Sequence, residues 1–570
     1  MRSSFLPRIR IISLALFIFV LILLSKLYLV QVVHGEEYID RADRQYIKPE
    51  STLFDRGTIY YENKDGRLIS AATLKTGYTL AINPRLLEDS ESTHSQIEKI
   101  IDINDEDFFF RAGKKNDPYE EVLKKMDEET AFEIEQLDID GVDVFKDKWR
   151  FYPGNEVGAQ TLGFVGFNND DYGGRYGLER YYDDVLRRDS ENMNVNFFAE
   201  VFSNLNKTLG GNNLRNKGDI ITSIEPSVQT FFQTRMNKVH DTWNSELTAG
   251  VILNPKTGEV FAMAVSPSFS LNEFSKEEDI NIFRNPIVED VYEMGSIMKP
   301  LTMSAGLDSG AVTAETTYND KGFLELDGYK ISNYDGKGRG VVNMQEVLNQ
   351  SLNTGVAFVV SQMGNNIFAD YMKNFGLMEK TGIDLPNEVS PLIGNLDSPR
   401  NIEYATAAFG QGIALSPIMT TQALSSLANN GILPKLHVVK QINYEIGPAK
   451  TIEVEEGRRV LKSETADEIT RMLVKVVDEA LVGGTVKLKN YSIAAKTGTA
   501  QIANPHEKGY YDDRFLHSFF GYFPAYNPEF LVFLYTIYPK EVRYASQTLT
   551  DPFMDTAKFL INYYEIPPDR

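Results

Sequence analysis

Three short motifs that follow one another along the chain constrain it more than any other feature. They are Ser296-Ile-Met-Lys299, Ser351-Leu-Asn353 and Lys496-Thr-Gly498, or S-x-x-K, S-x-N and K-T-G in general form. A chain that uses all three must fold so that segments about 200 residues apart in sequence share one site. Together they are the motif set of acyl-transfer chemistry with a serine nucleophile.

Order and context carry this signal, because two of the motifs also occur elsewhere. S-x-x-K occurs once, and only one S-x-N follows it. Of the four K-T-G copies, the one at Lys256 is predicted to be the turn of a β-hairpin over 250–265, and only the one at Lys496 heads a strand-like segment. The further copies are S-x-N at Ser190 and Ser270, and K-T-G at Lys75, Lys256 and Lys380.

Composition limits the class of protein. A chain of 570 residues is long enough for two or three domains. Its formal net charge of −22 argues against a nucleic-acid partner. There is no cysteine, and the six histidines are scattered without metal-ligand spacing. We therefore expect neither a metal nor a cofactor.

The N-terminus predicts the location. Three arginines lie within residues 1–10, and a mostly apolar segment over 11–33 follows, interrupted by Lys26 and Gln31. This length suits a single transmembrane anchor, and the arginines favour a cytoplasmic N-terminus with the rest of the chain outside. A cleaved signal peptide is the alternative, but no A-x-A-like site follows the apolar run.

The remaining chain is predicted to form two domains. Residues 36–217 are polar and mixed, with a hairpin over 55–70 and exposed helices within 102–137, so an α+β domain is expected. Residues 219–570 have strands at both ends around a helical middle. This order predicts an α/β domain whose antiparallel sheet joins its two ends.

The chemistry assigns a role to each motif residue. Ser296 is the candidate nucleophile, and burial would lower the pKa of Lys299 so that it can accept the serine proton. Ser351 would relay a proton, and Asn353 would orient Lys299 and bind the substrate backbone. The alternative for each motif is structural: a helix N-cap with a solvated lysine, or ordinary helix punctuation.

The last motif is predicted to bind the substrate. Lys496 offers a positive charge to a carboxylate, with the hydroxyls of Thr497 and Thr499 as additional donors. Gly498 allows a substrate or another backbone to approach the strand closely. The backbone N–H groups of Ser296 and Thr499 are the predicted oxyanion hole. The structural alternative is an edge strand protected by a lysine.

With these motifs in place, the whole chain resembles a class B, monofunctional penicillin-binding protein. Further segments carry the resemblance: Asp55-Arg-Gly57, Arg150-Phe-Tyr-Pro153 and Gly177-Leu-Glu179 in the predicted pedestal domain, and Ile331-Ser-Asn-Tyr-Asp-Gly336, Thr381-Gly-Ile-Asp-Leu-Pro386 and Phe409-Gly-Gln-Gly-Ile-Ala-Leu-Ser-Pro417 in the predicted transpeptidase domain. Leu352 and Ala495 depart from the residues that are frequent in the family.

The resemblance implies a membrane-anchored peptidoglycan D,D-transpeptidase. Ser296 would attack a D-Ala-D-Ala stem peptide, an amine from a neighbouring stem would resolve the acyl-enzyme, and β-lactams would acylate the same serine. It also implies a polytopic glycosyltransferase and other division proteins as partners, with the FtsI-like division branch favoured over the rod-elongation branch. A D,D-carboxypeptidase or β-lactamase with the same serine and a catalytically idle scaffold or sensor remain open.

Overall fold

The structure is a computed structural model that describes residues 55–168, 171–188, 217–504, 506–507 and 509–570, together with positions 19, 20, 23 and 26. The predicted cytoplasmic tail and, apart from these four positions, the predicted anchor lie outside the described residues. Among the residues that are described, no helix combines the length and the apolar character needed to cross a membrane.

The described residues divide into two units. The small unit includes residues 74–149, and the large unit includes residues 56–73, 150–188 and 217–570. The predicted domain boundaries at 36, 217 and 219 stay a prediction.

The described residues contain several runs of consecutive strands, separated by helical segments. In chain order they are β1 (Ile59–Glu62), β2 (Leu68–Ile82), β3 (Glu120–Met126), β4 (Val142–Phe151), β5 (Val165–Asn168), β6 (Asp171–Gly174), β7 (Gly218–Thr222), β8 (Leu247–Leu253), β9 (Val260–Ser266), β10 (Thr317–Asp320), β11 (Phe323–Leu326), β12 (Tyr329–Ser332), β13 (Gly340–Asn343), β14 (Ile432–Leu433), β15 (Val439–Tyr444), β16 (Lys450–Thr451), β17 (Arg458–Arg459), β18 (Ala494–Ala503), β19 (Tyr510–Phe523) and β20 (Phe530–Ile537).

The α-helices are concentrated between β9 and β18 of the large unit. In chain order they are α1 (Ser90–Ile97), α2 (Asp105–Ala112), α3 (Glu128–Glu135), α4 (Ala159–Leu162), α5 (Gly177–Tyr181), α6 (Asp183–Leu186), α7 (Pro226–Trp243), α8 (Pro286–Glu289), α9 (Lys299–Asp308), α10 (Met344–Asn349), α11 (Asn353–Met363), α12 (Asn365–Asn374), α13 (Asn401–Ala407), α14 (Pro417–Ala428), α15 (Ser463–Lys475), α16 (Ala545–Thr548) and α17 (Thr550–Tyr563).

The small unit confirms part of the helical prediction for 102–137 and corrects another part. Helices α2 and α3 begin at side-chain caps, Asn104 and Asp127, which accept hydrogen bonds from backbone N–H groups of the first turn. The prediction was wrong for β3, which lies between the two helices and pairs antiparallel with β2. The charged residues of β3 favour a helix locally, but strand pairing overrides this weak preference.

The large unit is built on the antiparallel sheet that the sequence predicts. Its strand order is β18-β19-β20-β8-β9, so the sheet joins the two ends of the predicted α/β domain. Alternate residues of β20 enter two different cores: Leu531, Phe533 and Tyr535 face one, and Val532 and Leu534 face the other. Helices α7 and α17 cover the second face, and the middle of the chain covers the first. Strand β18 is left at the sheet edge.

The resemblance motifs of the predicted pedestal meet in a buried ion network within the large unit. Glu179 is fully buried and accepts from Arg56 Nε and Arg150 Nε, each at 2.6 Å. Arg56 also donates to Asp183 at 2.7 Å, and Arg150 to the carbonyl oxygen of Gly57 at 2.7 Å. A buried carboxylate requires such pairing, because removing one partner would leave an uncompensated charge.

The K-T-G copies outside the third motif have three different settings. Lys256 lies in the turn between β8 and β9, which confirms the predicted hairpin. Lys380 lies in an irregular segment after α12, as predicted. Lys75, however, lies inside β2. The prediction that only Lys496 heads a K-T-G within a strand was therefore wrong.

Candidate active site

Ser296 lies in a tight turn at the edge of the sheet. A single 3₁₀ turn, Gly295–Met298, precedes α9, which begins at Lys299. The serine therefore stands just before the α-helix, and Pro300 lies in the first helical turn, where no backbone N–H donor is needed. The turn requires glycine at 295, where φ is +66° and a Cβ atom would lie 2.8 Å from the carbonyl oxygen of Thr499.

Gly498 allows the turn that carries Ser296 to pack directly on β18. A Cβ atom at Gly498 would lie 2.3 Å from Ser518 Oγ and 2.9 Å from the carbonyl oxygen of Met294. Ser518 donates a hydrogen bond to this same carbonyl oxygen at 2.8 Å. The glycine thus admits another backbone, one of the two possibilities predicted for it. The packing brings the turn beside Thr499, which is the arrangement the predicted oxyanion hole needs.

Two lysines converge on the hydroxyl group of Ser351. Lys299 Nζ lies 3.1 Å from Ser351 Oγ and donates to the carbonyl oxygen of Ser351 at 2.5 Å. Lys496 Nζ lies 3.0 Å from the same Oγ atom and also donates to the carbonyl oxygen of Thr497 at 3.1 Å. The structure therefore brings one residue of each motif into a single hydrogen-bonded cluster.

Burial lowers the pKa of both amines. Desolvation and, to a lesser extent, the neighbouring Lys496 charge hold the pKa of Lys299 well below its ordinary value. Burial lowers the pKa of Lys496 to about 8. Two ammonium groups around one hydroxyl repel each other, so the neutral form of Lys299 is favoured. A neutral amine is what a general base requires.

Ser351 is held in an unusual backbone conformation. It lies in the three-residue link between α10 and α11 with φ of +53°, which costs a non-glycine residue about 1–3 kcal/mol. Its neighbour Leu352 is fully buried in the core. Leu352 is also not among the residues that line the cleft, and both lysines contact Ser351 with leucine at this middle position. Ala495 is likewise fully buried.

Asn353 begins α11 and lies on a second wall of the cleft. Its amide Nδ2 donates to the carbonyl oxygen of Ser332 on β12 at 2.9 Å. Buried Asp320, which the sequence analysis did not select, supports this wall by accepting from Asn333 Nδ2 at 3.0 and 3.1 Å and from Thr354 Oγ1 at 2.8 Å. The only sequence signal for this arrangement was the segment Ile331-Ser-Asn-Tyr-Asp-Gly336.

The loop between β20 and α16 forms a third wall that the sequence analysis missed. Ala545 N donates to Thr499 Oγ1 at 3.2 Å, and His517 Nε2 lies 3.1 Å from the carbonyl oxygen of Arg543. Burial lowers the pKa of His517 to about 4, so the ring is neutral at neutral pH. The ring of Tyr544 contacts the ring of Tyr334, with centroids 5.9 Å apart. We call residues 538–544 the lip loop.

Together these elements enclose a cleft of about 670 Å³. Ser296, Ser351, Asn353, Lys496, Thr497 and Thr499 line it. This volume lies within the range of roughly 300–1,000 Å³ typical of small-ligand sites. Among the described residues that line the cleft, all the charged ones are cations: Lys330, Lys496 and Arg543. No group of three or more potential metal ligands occurs in the described part of the chain.

Comparisons with known proteins assign the family of the chain. A family model described as the penicillin binding protein transpeptidase domain matches residues 248–557, more than half of the chain. The chain belongs to the penicillin-binding proteins. A second model, the penicillin-binding protein dimerisation domain, matches residues 52–215. This pair of domains is that of a class B penicillin-binding protein, as the sequence predicted.

Curated relatives cover nearly the whole of this penicillin-binding protein. Stage V sporulation protein D of Bacillus subtilis is 29% identical over 97% of this chain and 85% of its own. The peptidoglycan D,D-transpeptidase FtsI of Buchnera aphidicola subsp. Schizaphis graminum is 24% identical over 97% of this chain and 94% of its own. The chain is an enzyme of the serine-type D,D-transpeptidase class, an acyltransferase, as predicted.

Solved structures confirm the fold of this penicillin-binding protein. Penicillin-binding protein 2X from Streptococcus thermophilus matches with a TM-score of 0.72 at 19% identity, covering 90% of this chain and 80% of that one. Penicillin-binding protein 3 from Mycobacterium tuberculosis, complexed with aztreonam, matches with a TM-score of 0.65 at 23% identity, covering 75% and 92%.

Proposed function

We propose that this penicillin-binding protein cross-links peptidoglycan stem peptides through an acyl-enzyme on Ser296. The observation that carries the proposal is the convergence of Lys299 and Lys496 on the Ser351 hydroxyl in the cleft that Ser296 lines. Three motifs that are distant in sequence serve one site there. The alternative of ordinary helix punctuation does not account for two buried lysines on one serine.

The first half-reaction transfers an acyl group to Ser296. Neutral Lys299 takes the serine proton, and the serine oxygen attacks the carbonyl carbon of the penultimate D-alanine. The backbone N–H groups of Ser296 and Thr499 stabilise the oxyanion, a contribution worth about 3–4 kcal/mol for each donor. The C–N bond then breaks, and Ser351 passes a proton to the departing D-alanine amine.

The second half-reaction resolves the acyl-enzyme with an amine from a neighbouring stem. The amine loses a proton along the same path through Ser351 to Lys299 and forms the new amide, and Ser296 regains its proton. Protonated Lys496, with the hydroxyls of Thr497 and Thr499, holds the C-terminal carboxylate of the donor stem. Asn353 binds the substrate backbone from the second wall.

The proposal includes acylation by β-lactams, because the same serine meets a strained amide there. Labelling the full-length protein in membranes with a fluorescent penicillin tests this step. We expect a stable covalent adduct in the wild type and none in Ser296→Ala. Ser309→Ala at the far end of α9 is the matched control and should label normally.

The time course after removal of free label separates the competing functions. Loss of the adduct within minutes would favour a β-lactamase, and hydrolysis of stem peptides without cross-links would favour a carboxypeptidase. No adduct in a folded wild type would contradict the catalytic proposal and favour a scaffold or sensor. Formation of a cross-linked dimer from stem peptides with an amine acceptor is the expected result.

We further propose that residues 11–33 anchor the chain in the cytoplasmic membrane, with residues 1–10 inside and the catalytic unit outside. The charge pattern of the sequence supports this orientation. Fusing residues 1–40 to a reporter that is active only outside the membrane should give activity. An active fusion released by alkaline washing would contradict the anchor.

A role in division beside a polytopic glycosyltransferase and other division proteins is the last part of the proposal. The relative named FtsI supports it, although the relative named for sporulation shows that other roles share this architecture. Depletion should produce filaments that fail to septate. Rounded cells of increased width would instead indicate the elongation role.

A further inference from the structure

The cleft carries more positively charged residues than the binding of one carboxylate requires. The chain carries 80 acidic and 58 basic residues, yet Lys330, Lys496 and Arg543 supply the charge on the described walls of the cleft. The proposed reaction uses Lys496 for the C-terminal carboxylate of the donor stem. Lys330 and Arg543 therefore need a different explanation.

Neither cation is held in an ion pair in the described part of the chain, although Lys330 lies opposite Glu325 in the antiparallel pairing of β11 with β12. Each cation instead lies near aromatic rings. Lys330 Nζ lies 4.4 Å from the ring centre of Phe323, and the Arg543 guanidinium lies 5.9 Å from that of Phe515 and 5.8 Å from that of Tyr544. Contact with aromatic faces limits the motion of a cation while leaving its hydrogen-bond donors free.

The backbone of Arg543 is fixed to the strand that binds the substrate. Its carbonyl oxygen contacts His517 Nε2, and the next residue but one, Ala545, donates to Thr499 Oγ1. Thr499 is opposite His517 in the pairing of β18 with β19. Arg543 is thus positioned relative to the K-T-G strand, and its guanidinium can bind a carboxylate in two parallel hydrogen bonds.

We propose that Arg543, with Lys330 in the same cleft, makes this enzyme select donor stem peptides that carry a free carboxylate in addition to the C-terminal one. The inference rests on the proposed function. The ligand is a stem whose second or third residue keeps its carboxylate as an anion. Stems in which that group is a carboxamide lose the charge and are poorer donors.

The test compares two synthetic stem pentapeptides that both end in D-Ala-D-Ala. One has free carboxylates at its second and third residues, and the other has carboxamides there. The full-length protein is assayed in detergent with an amine acceptor, and kcat/KM is measured from the release of D-alanine. We expect the wild type to prefer the free-acid peptide about tenfold, the effect of one charge-assisted hydrogen bond. Singly amidated peptides then identify which of the two positions is recognised.

Substitutions of Arg543 and Lys330 test whether these two residues cause the preference for the free-acid peptide. Arg543→Gln should reduce the ratio between the two peptides to within about twofold of one, mainly by raising KM for the free acid. Arg543→Lys should keep part of the preference, and Lys330→Gln should reduce it about threefold. Lys540→Gln is the matched control, because Lys540 lies in the same lip loop over the ring of Tyr538 and outside the cleft lining.

The ratio of kcat/KM between the two peptides separates an effect on selectivity from an effect on folding. A loosened lip loop would lower kcat/KM for both peptides together. Equal kcat/KM for the two peptides in the wild type would overturn the inference. An unchanged ratio in Arg543→Gln, or the same loss of ratio in Lys540→Gln, would also overturn it. Failure of the wild type to release D-alanine from either peptide would instead contradict the proposed function, and the inference with it.

Discussion

The same tripeptide, Lys-Thr-Gly, occurs in a strand of each unit with different consequences. Lys75-Thr-Gly77 lies within β2 of the small unit, and Lys496-Thr-Gly498 lies within β18 of the large unit. Lys75 is exposed, whereas Lys496 is 3% exposed and contacts the Ser351 hydroxyl. Both copies therefore lie within β-strands, and they differ in the environment of the lysine.

The two glycines sharpen this contrast. A Cβ atom at Gly77 would lie 2.5 Å from both the ring of Trp149 and the carbonyl oxygen of Met126. At Gly498 the corresponding neighbours are Ser518 Oγ and the carbonyl oxygen of Met294, which belongs to the turn before Ser296. Both glycines permit close packing, but only the second one packs against the nucleophile turn. A tripeptide thus acquires its function from residues distant in sequence.

The largest expected effect comes from removing each lysine. Lys496→Ala should slow acylation by penicillin about 100-fold, because it leaves the ligand carboxylate and Ser351 without a charged partner. Lys75→Ala should change the rate less than about twofold, because Lys75 is an exposed side chain of the other unit. Second-order rate constants from labelling time courses give both values. Similar losses in the two variants would show that burial beside Ser351 is not what distinguishes the copies.

The glycines should separate stability from activity. Gly77→Ala and Gly498→Ala should each lower the free energy of unfolding by about 1–3 kcal/mol, because both introduce a Cβ into occupied space. Only Gly498→Ala should also slow acylation, on the order of 30-fold, since a displaced nucleophile turn misplaces the reacting atoms. Thermal unfolding followed alongside labelling distinguishes the two effects. Normal acylation in a destabilised Gly498→Ala protein would contradict the role given to this packing.

The contrast between the two K-T-G copies also shows which features of the structure can be predicted from the sequence. Motif order predicted that Ser296, Ser351 and Lys496 share a site, and alternation of apolar residues predicted the hairpin over 250–265. Strand pairing at Lys75 and β3 was missed, because a partner distant in sequence overrides weak local preference. Arg543 was missed for a similar reason: its position depends on hydrogen bonds from His517 and Ala545 that no local pattern encodes.

The pH dependence of acylation should report the buried lysines. The carboxylate requires protonated Lys496, whose lowered pKa means that the charge is lost as pH rises through about 8. Lys299 must be neutral, so the rate should rise with pH on the acidic side, giving a bell-shaped profile. By pH 9 the rate should fall to about a tenth of its maximum, since one pH unit above a pKa leaves about a tenth protonated.

Lys496→Arg tests the assignment of the alkaline limb. Arginine stays protonated throughout the accessible range, so the descending limb should move to higher pH or vanish, whatever the maximal rate. Lys75→Arg is the matched control and should leave the profile unchanged. An alkaline limb near pH 8 that persists in Lys496→Arg would assign it to another group.

The threonines should give the smallest effect and the finest test of the comparison. Thr497 lines the cleft and is partly exposed, whereas Thr76 is exposed on β2. Valine keeps the β-branched shape that suits a strand and removes only the hydroxyl group. Thr497→Val should slow acylation about threefold, the scale of one neutral hydrogen bond to the ligand, and Thr76→Val should not change it. A loss confined to Thr497→Val, with unchanged thermal unfolding in both variants, would show that the strand hydroxyl contributes to binding in one K-T-G and not in the other, although both lie within β-strands.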